Sequence, residues 1–207
     1  MVGFFNYSVI LTYLGAACGV LGVGFCVRGE PFSAVLCLMV CGFCDLFDGT
    51  VARTCKRGEQ EKQFGIQIDS LSDLLCFGAL PAAIGFSLGL TRWFETLVLA
   101  LYVLCALIRL AYFNVTEEQL TLIRGEKRVF YEGLPVTGSA LLLPLLYAFR
   151  PLLPEVFPHV YLLALLLVGA AYVLKIRVRK IGLRGMIAAA CLGALVLAAL
   201  LLGQSAL

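Results

Sequence analysis

The chain has 207 residues, of which 61% are hydrophobic and only 14% are charged, and its mean hydropathy is +0.98. This composition excludes an ordinary water-soluble domain and indicates a polytopic membrane protein built as one helical bundle. The formal net charge is +3, and basic loops beside anionic headgroups explain it without a nucleic-acid partner.

Seven apolar segments, each close to the length that crosses a bilayer, follow one another along the chain. We interpret the first as an uncleaved span, because no basic residue precedes it. The fifth is short, so we expect it to be tilted or partly covered by protein. The polar stretch 116–133 is predicted to be an interhelical loop. The sequence therefore predicts an all-α transmembrane bundle of about seven spans, in a single integral-membrane domain over 1–207, with helices over residues 8–27, 32–54, 66–90, 93–115, 134–150, 156–174 and 184–203.

Basic residues are distributed unevenly over the connections between these segments. If the N-terminus is cytoplasmic, twelve of them lie on inner loops and three on outer loops, which is the asymmetry of the positive-inside rule. We therefore predict that the N-terminus is inside and the C-terminus outside. The inner residues are Arg53, Lys56, Arg57, Lys62, Arg124, Lys127, Arg128, Lys175, Arg177, Arg179, Lys180 and Arg184, and the outer ones are Arg28, Arg92 and Arg150.

Four aspartates lie in or beside the second and third apolar segments. Asp45 and Asp48 are three residues apart and Asp69 and Asp73 are four apart, so each pair lies on one face of a helix. A short polar connection makes the two helices antiparallel neighbours, which predicts that all four carboxylates converge. A carboxylate at the centre of a membrane helix costs roughly 2.5–3.5 kcal/mol, so the cluster requires a neutralising partner.

A hard divalent cation is the expected partner of this cluster. Oxygen ligands without histidine or cysteine select Mg²⁺, Mn²⁺ or Ca²⁺ rather than zinc, and four carboxylates can hold two ions about 4 Å apart. The small residues Gly49, Ala52 and Gly65 leave room for a ligand beside the acids. Arg53 provides a planar cation suited to phosphate oxygens.

Other interpretations of the acidic cluster stay open at this point. The aspartates could mark the watery ends of two helices and pair with Arg53, Lys56 and Arg57. They could form the cation site of a channel or transporter, or stabilise a dimer in a catalytically silent scaffold.

Eight of the nine cysteines lie within the predicted spans, where they act as small apolar packing residues. We interpret Cys41 and Cys44, which form a CxxC pattern, in the same way.

The acidic string resembles a known signature. Asp45-x-x-Asp48-Gly49-x-x-Ala52-Arg53 followed by Gly65-x-x-x-Asp69-x-x-x-Asp73 is similar to the DxxDGxxAR…GxxxDxxxD pattern of the CDP-alcohol phosphatidyltransferase family. Segments 64–82, 109–115 and 132–140 are similar to the phosphatidylserine synthase branch of that family. The connection from Thr54 to Phe64 is longer than the family pattern, a change that costs little because loop entropy grows slowly with length.

This resemblance implies a six-helix membrane core that forms a homodimer, with its active site at the cytoplasmic side of what we expect to be a prokaryotic cell membrane. It implies transfer of the phosphatidyl group from CDP-diacylglycerol to L-serine, giving phosphatidylserine and CMP. Asp73 is implied as the catalytic general base. The resemblance implies that Asp45, Asp48, Asp69 and Asp73 bind one or two Mg²⁺ or Mn²⁺ ions. It also implies that the CDP-lipid is bound by Asp45, Gly49, Ala52, Arg53 and Gly65.

The acceptor alcohol is less constrained by the sequence. Arg109, a basic residue deep in the fourth predicted span, is a candidate for the serine carboxylate, and Asn114 lies five residues further on. Alternatively, Arg109 pairs with one of the aspartates and Asn114 caps the fourth helix. The same chemistry with glycerol phosphate or inositol phosphate as acceptor is the nearest alternative function.

Overall fold

Seven α-helices are found in a computed structural model that describes residues 9–54, 58–124, 130–179 and 183–205. At 50–54, 117–124, 130–132, 177–179, 183–184 and 203–205 the description covers the backbone alone. The helices are α1 (Ile10–Val27), α2 (Pro31–Thr54), α3 (Glu59–Ser87), α4 (Trp93–Arg124), α5 (Ser139–Tyr147), α6 (Phe157–Val173) and α7 (Leu183–Ser205).

The predicted all-α bundle is confirmed, because each of the seven apolar segments corresponds to one helix. Five stretches are long and apolar enough to cross a membrane: Ile10–Val27, Pro31–Gly49, Glu59–Ser87, Trp93–Thr116 and Gly185–Leu202. The remaining two, Val136–Leu152 and Phe157–Val173, are apolar but shorter. The fifth predicted segment is indeed short, with 3₁₀ turns at Val136–Gly138 and Arg150–Leu152 on either side of α5.

A tight turn joins α1 to α2 and makes them antiparallel neighbours. Gly29 has a φ of +75°, a left-handed conformation that L side chains rarely adopt. Its N–H donates to Cys26 O at 3.0 Å, and the N–H of Glu30 donates to Phe25 O at 2.9 Å, which together form a Schellman motif. Pro31 then begins α2, a position where its missing N–H is not needed. The α1–α2 contact that follows is the most extensive between any two described helices.

One turn of π-helix interrupts α3 directly after Asp73. The helix is α-helical over Glu59–Asp73, π-helical over Leu74–Ala79 and α-helical again over Leu80–Ser87. Pro81 has no N–H to donate to Phe77 O, which lies four residues before it. The hydroxyl of Tyr102 on α4 donates to that carbonyl instead, at 2.7 Å. The irregular turn is therefore satisfied by a neighbouring helix, as broken helices in membranes require.

Replacing Tyr102 by Phe should destabilise the fold by about 1–3 kcal/mol, because Phe77 O would lose a donor in an apolar interior. Tyr102 is fully buried and its hydroxyl also lies 3.2 Å from that of Tyr172. The midpoint of thermal unfolding of the purified protein in detergent measures the effect. Tyr13→Phe, at a half-buried position of α1, is the matched control. Equal midpoints for the two variants would contradict this account of the π turn.

The polar stretch 116–133 departs from its prediction as a loop. Helix α4 continues through it to Arg124, because membrane hydropathy marks the end of the apolar segment and not the end of the helix. Further on, β1 (Phe130–Glu132) pairs antiparallel with β2 (Arg177–Arg179), and Tyr131 stands opposite Val178. This short ribbon, which the sequence analysis did not predict, joins the segment before α5 to the segment after α6.

Candidate metal centre

Helices α2 and α3 bring three of the four aspartates together. One carboxylate oxygen from each of Asp45, Asp48 and Asp69 lies within 4.8 Å of the other two. Opposite ligands of Mg²⁺ lie about 4.1 Å apart, twice the usual metal–oxygen distance, and those of Ca²⁺ about 4.6–5.2 Å apart. The three oxygens are therefore close enough together to share a hard divalent cation.

Asp73 completes the cluster from one helical turn beyond Asp69. Its side chain lies beside that of Asp45, and both line a cavity between α1, α2 and α3 together with Asp48. Asp73 is not part of the group of three whose oxygens lie within 4.8 Å of one another. Three aspartates are therefore close enough together to share an ion, and the fourth, Asp73, lines the same cavity.

The charge of the cluster is not balanced by the ion pairs that the described side chains form. Asp48 is buried, at 8% exposure. Two ion pairs between described side chains, Lys62–Glu59 and His159–Glu95, lie elsewhere. Several carboxylates crowded into a poorly hydrated site repel one another, so a bound cation would stabilise them strongly. The alternative pairing with Arg53, Lys56 and Arg57 falls on side chains outside the described residues.

The predicted CDP-lipid residues are only partly described. Gly49 is exposed, and a Cβ added there would meet nothing within 4 Å, so the space beside it is open to a ligand. Gly65 is buried within α3. The side chains of Ala52 and Arg53 lie outside the described residues, although the backbone of α2 extends through both.

Arg109 is buried beneath the chain segment that leads into α5. Its Nε donates to Leu134 O at 3.3 Å, and its guanidinium carbon lies 5.5 Å from the centroid of the Phe113 ring. Gly133 has a φ of +83°, and a Cβ there would lie 2.7 Å from Tyr172 O and 3.3 Å from Arg109 Nε. Only glycine fits this position, and it lets the segment pass closely over the guanidinium.

Asn114 connects α4 to α3 through Ser70. Its Nδ2 donates to Ser70 Oγ at 2.9 Å, and Ser70 Oγ donates to Asn114 Oδ1 at 3.1 Å. Ser70 directly follows Asp69 in the sequence of α3. The alternative that Asn114 caps the fourth helix is wrong, because α4 continues ten residues beyond it, to Arg124.

The buried cysteines among the described residues act as packing residues, as predicted from their apolar surroundings. The eight described cysteines are free, and five of them are buried. The thiols of Cys41 and Cys76 each donate to Gly15 O at 3.3 Å, and Cys44 lines the cavity of the aspartates. The CxxC pattern therefore lies within a helix and contributes to contacts between helices.

Two polar residues near the aspartates were not singled out from the sequence. Thr12 on α1 donates to Asp48 Oδ2 at 3.4 Å, and Ser72 on α3 donates to Thr12 O at 3.3 Å. The available signal was a hydroxyl residue within an otherwise apolar first span.

Comparison with known proteins agrees with the aspartate pattern. The family model for CDP-alcohol phosphatidyltransferase matches residues 5–204. A CDP-diacylglycerol–serine O-phosphatidyltransferase of Saccharomyces cerevisiae is 38% identical over 149 residues, which are 68% of this chain and 53% of that protein. An archaetidylserine synthase of Methanothermobacter thermautotrophicus is 33% identical over 139 residues, covering 67% of this chain and 56% of that protein.

A CDP-diacylglycerol–serine O-phosphatidyltransferase of Bacillus subtilis is 29% identical over 152 residues, which are 72% of this chain and 80% of that protein. The chain spans about half the length of the yeast and archaeal relatives. The family model, in contrast, matches nearly the whole chain, and the helices that it covers carry the clustered aspartates. The chain belongs to the CDP-alcohol phosphatidyltransferase family.

Proposed function

We propose that this protein transfers the phosphatidyl group from CDP-diacylglycerol to the hydroxyl of L-serine, giving phosphatidylserine and CMP. The observation that carries the proposal is the convergence of Asp45, Asp48 and Asp69, with Asp73 beside them, between two helices of a family member. The names of the three relatives given above all contain serine, which supports serine as the acceptor.

The ion in this proposal is Mg²⁺ or Mn²⁺, in one or two copies. Asp45, Asp48 and Asp69 would hold it, since their oxygens lie close enough together to share an ion, and Asp73 would contribute from the side of Asp45. When bound, such an ion supplies positive charge that stabilises the phosphoryl oxygens and the leaving CMP.

The donor lipid would lie along α2, with its pyrophosphate at the acidic cluster. The open space beside Gly49 supports this placement, because a ligand can approach the helix backbone there. We assign the CDP-lipid contacts to Asp45, Gly49, Ala52, Arg53 and Gly65. Arg53 would donate to a phosphate oxygen, a role that suits its planar guanidinium.

Asp73 is the proposed general base. A serine hydroxyl stays protonated at neutral pH, so a carboxylate must take its proton as the hydroxyl oxygen bonds to phosphorus. The bond between that phosphorus and the CMP oxygen breaks in the same displacement. Asp73 suits this role because it lines the cavity but lies outside the group of three oxygens closest to one another.

Arg109 and Asn114 are the proposed acceptor-binding residues. Asn114 is hydrogen-bonded to Ser70, the residue after Asp69 in sequence, which supports a position near the cluster. Arg109 is held by Leu134 O, so its charge is presented from a fixed position. A fixed guanidinium suits recognition of a carboxylate.

Arg109→Lys should raise the Michaelis constant for serine about tenfold or more, because a bidentate charge-assisted contact is lost while the charge remains. Affinity for the CDP-lipid should stay unchanged. Steady-state kinetics with each substrate varied in turn measures both, and Arg92→Lys, at an exposed position, is the matched control. An unaltered Michaelis constant would remove Arg109 from the acceptor site.

We also propose that the protein is a homodimer in a prokaryotic cell membrane, with 1–207 as one domain and the cluster at the cytoplasmic side. Five helices long and apolar enough to cross a membrane support the membrane setting. The excess of basic residues on alternate connections supports the orientation. Chemical labelling of single introduced cysteines on the connections, from each side of sealed vesicles, would test the orientation.

The deciding experiment follows labelled CDP-diacylglycerol with the purified full chain and a panel of acceptors: serine, glycerol phosphate and inositol phosphate. Release of CMP with serine alone, stopped by EDTA and restored by Mg²⁺ or Mn²⁺, is the expected result. Incorporation of another alcohol in place of serine would show that the protein uses a different acceptor. Unchanged activity after thorough chelation would overturn the metal-assisted reaction.

A further inference from the structure

Helix α1 lies outside the aspartate signature, yet it supplies a hydroxyl that contacts one of the aspartates. Thr12 is buried, at 6% exposure, and its Oγ1 donates to Asp48 Oδ2 at 3.4 Å. Asp48 is itself buried and is one of the three aspartates whose oxygens converge. The two residues are 36 positions apart in sequence, so their contact exists only in the folded bundle.

The same residue also contacts the other helix that carries aspartates. Ser72 Oγ on α3 donates to the backbone carbonyl of Thr12 at 3.3 Å, and Ser72 directly precedes Asp73. One turn further along α1, Gly15 O accepts the thiols of Cys41 from α2 and Cys76 from α3, both at 3.3 Å. Helix α1 is therefore hydrogen-bonded to α2 and α3 at two successive levels.

These contacts have a consequence for the orientation of Asp48. The backbone N–H of Gly49, on the same helix, also donates to Asp48. Without a donor from another helix the carboxylate can still rotate about its side-chain bonds, and its like-charged neighbours favour rotation away from the cluster. A hydroxyl that donates to one oxygen holds the plane of the carboxylate and leaves the second oxygen available to an ion. Partners of this kind, which bind a ligand residue rather than the metal, typically change metal affinity 10–100-fold when removed.

We propose that Thr12 is a positioning residue that orients Asp48 for binding of a divalent cation and links α2 to α3 across the site. The inference rests on the proposed metal site. The inference goes beyond that site because Thr12 lies on a different helix from the aspartate signature and does not itself bind the ion. Its hydroxyl sets the direction of Asp48, and its carbonyl fixes the distance to α3 through Ser72.

The test compares Thr12→Val, which keeps the shape and removes the hydroxyl, with Thr12→Ser, which keeps the hydroxyl. Binding of Mn²⁺ to each purified full-length protein is measured by electron paramagnetic resonance, without substrates. We expect Thr12→Val to weaken Mn²⁺ binding about tenfold, the lower end of the usual range because the hydrogen bond is long. Thr12→Ser should bind within about twofold of the unaltered protein, since the donor is retained.

Thr96→Val, at an exposed position of α4, is the matched control and should leave Mn²⁺ affinity unchanged. Equal affinities of Thr12→Val and the unaltered protein would overturn the role of Thr12 and leave the metal site standing. Should Thr12→Val fail to fold, a tenfold loss in folded Thr12→Ser would overturn the role as well, because the hydroxyl is present. If the unaltered protein binds no Mn²⁺, the proposed metal site fails together with the inference.

Discussion

Asp69→Asn should abolish both Mn²⁺ binding and metal-dependent release of CMP. The substitution removes one of three negatively charged ligands while keeping the size of the side chain, so the ion loses several kcal/mol of interaction. A loss of that size corresponds to a reduction in turnover of at least about 10³-fold. Electron paramagnetic resonance measures the first effect, and release of labelled CMP measures the second.

Glu59→Gln is the matched control for this prediction, because it neutralises an exposed carboxylate on the same helix that pairs with Lys62. It should leave both measurements unaltered, and gel filtration should show that both variants are folded. If Asp69→Asn releases CMP at the full rate, the three-aspartate cluster is not the active site.

Asp73→Asn should reduce turnover by about 10²–10⁴-fold, the usual contribution of a general base, because an amide cannot accept the serine proton. Mn²⁺ affinity should change far less than in Asp69→Asn, since Asp73 lies outside the group of three converging oxygens. The protein should stay folded, because asparagine fills the same space. Single-turnover release of CMP, together with Mn²⁺ binding, separates the two effects.

The contrast between the two variants distinguishes the proposed roles. If Asp73→Asn loses Mn²⁺ as completely as Asp69→Asn does, Asp73 is mainly a metal ligand and the base lies elsewhere. If it retains full turnover, Asp73 has no part in the mechanism.

The convergence of the aspartates follows from sequence because it depends on local periodicity. Separations of three and four residues place each pair on one helix face, and a short connection makes the two helices neighbours. The spans follow as well, because the hydropathy of a window depends only on the residues within it. The placement of Asp45, Asp48 and Asp69 within 4.8 Å of one another is the structural counterpart of that spacing.

Other features depend on contacts between distant parts of the chain, so no local pattern predicts them. The hydrogen bond from Thr12 to Asp48 requires that α1 pack in one rotational setting against α2. The position of Arg109 beneath Leu134 depends on the ribbon of β1 and β2, whose strands are about 45 residues apart. The extension of α4 to Arg124 was missed because charged residues form helices as readily as apolar ones do.

The π turn at Leu74–Ala79 limits how chain length can vary around Asp73. Each residue of an α-helix advances the direction of the next side chain by about 100°, so deleting one residue from this turn would rotate everything after it relative to the aspartates. Tyr102 could then no longer reach Phe77 O, nor Tyr161 the carbonyl of Pro81. Insertions in the connection between α2 and α3 are harmless by comparison, so homologous chains should vary in length there and keep a constant count of residues from Asp69 to Pro81.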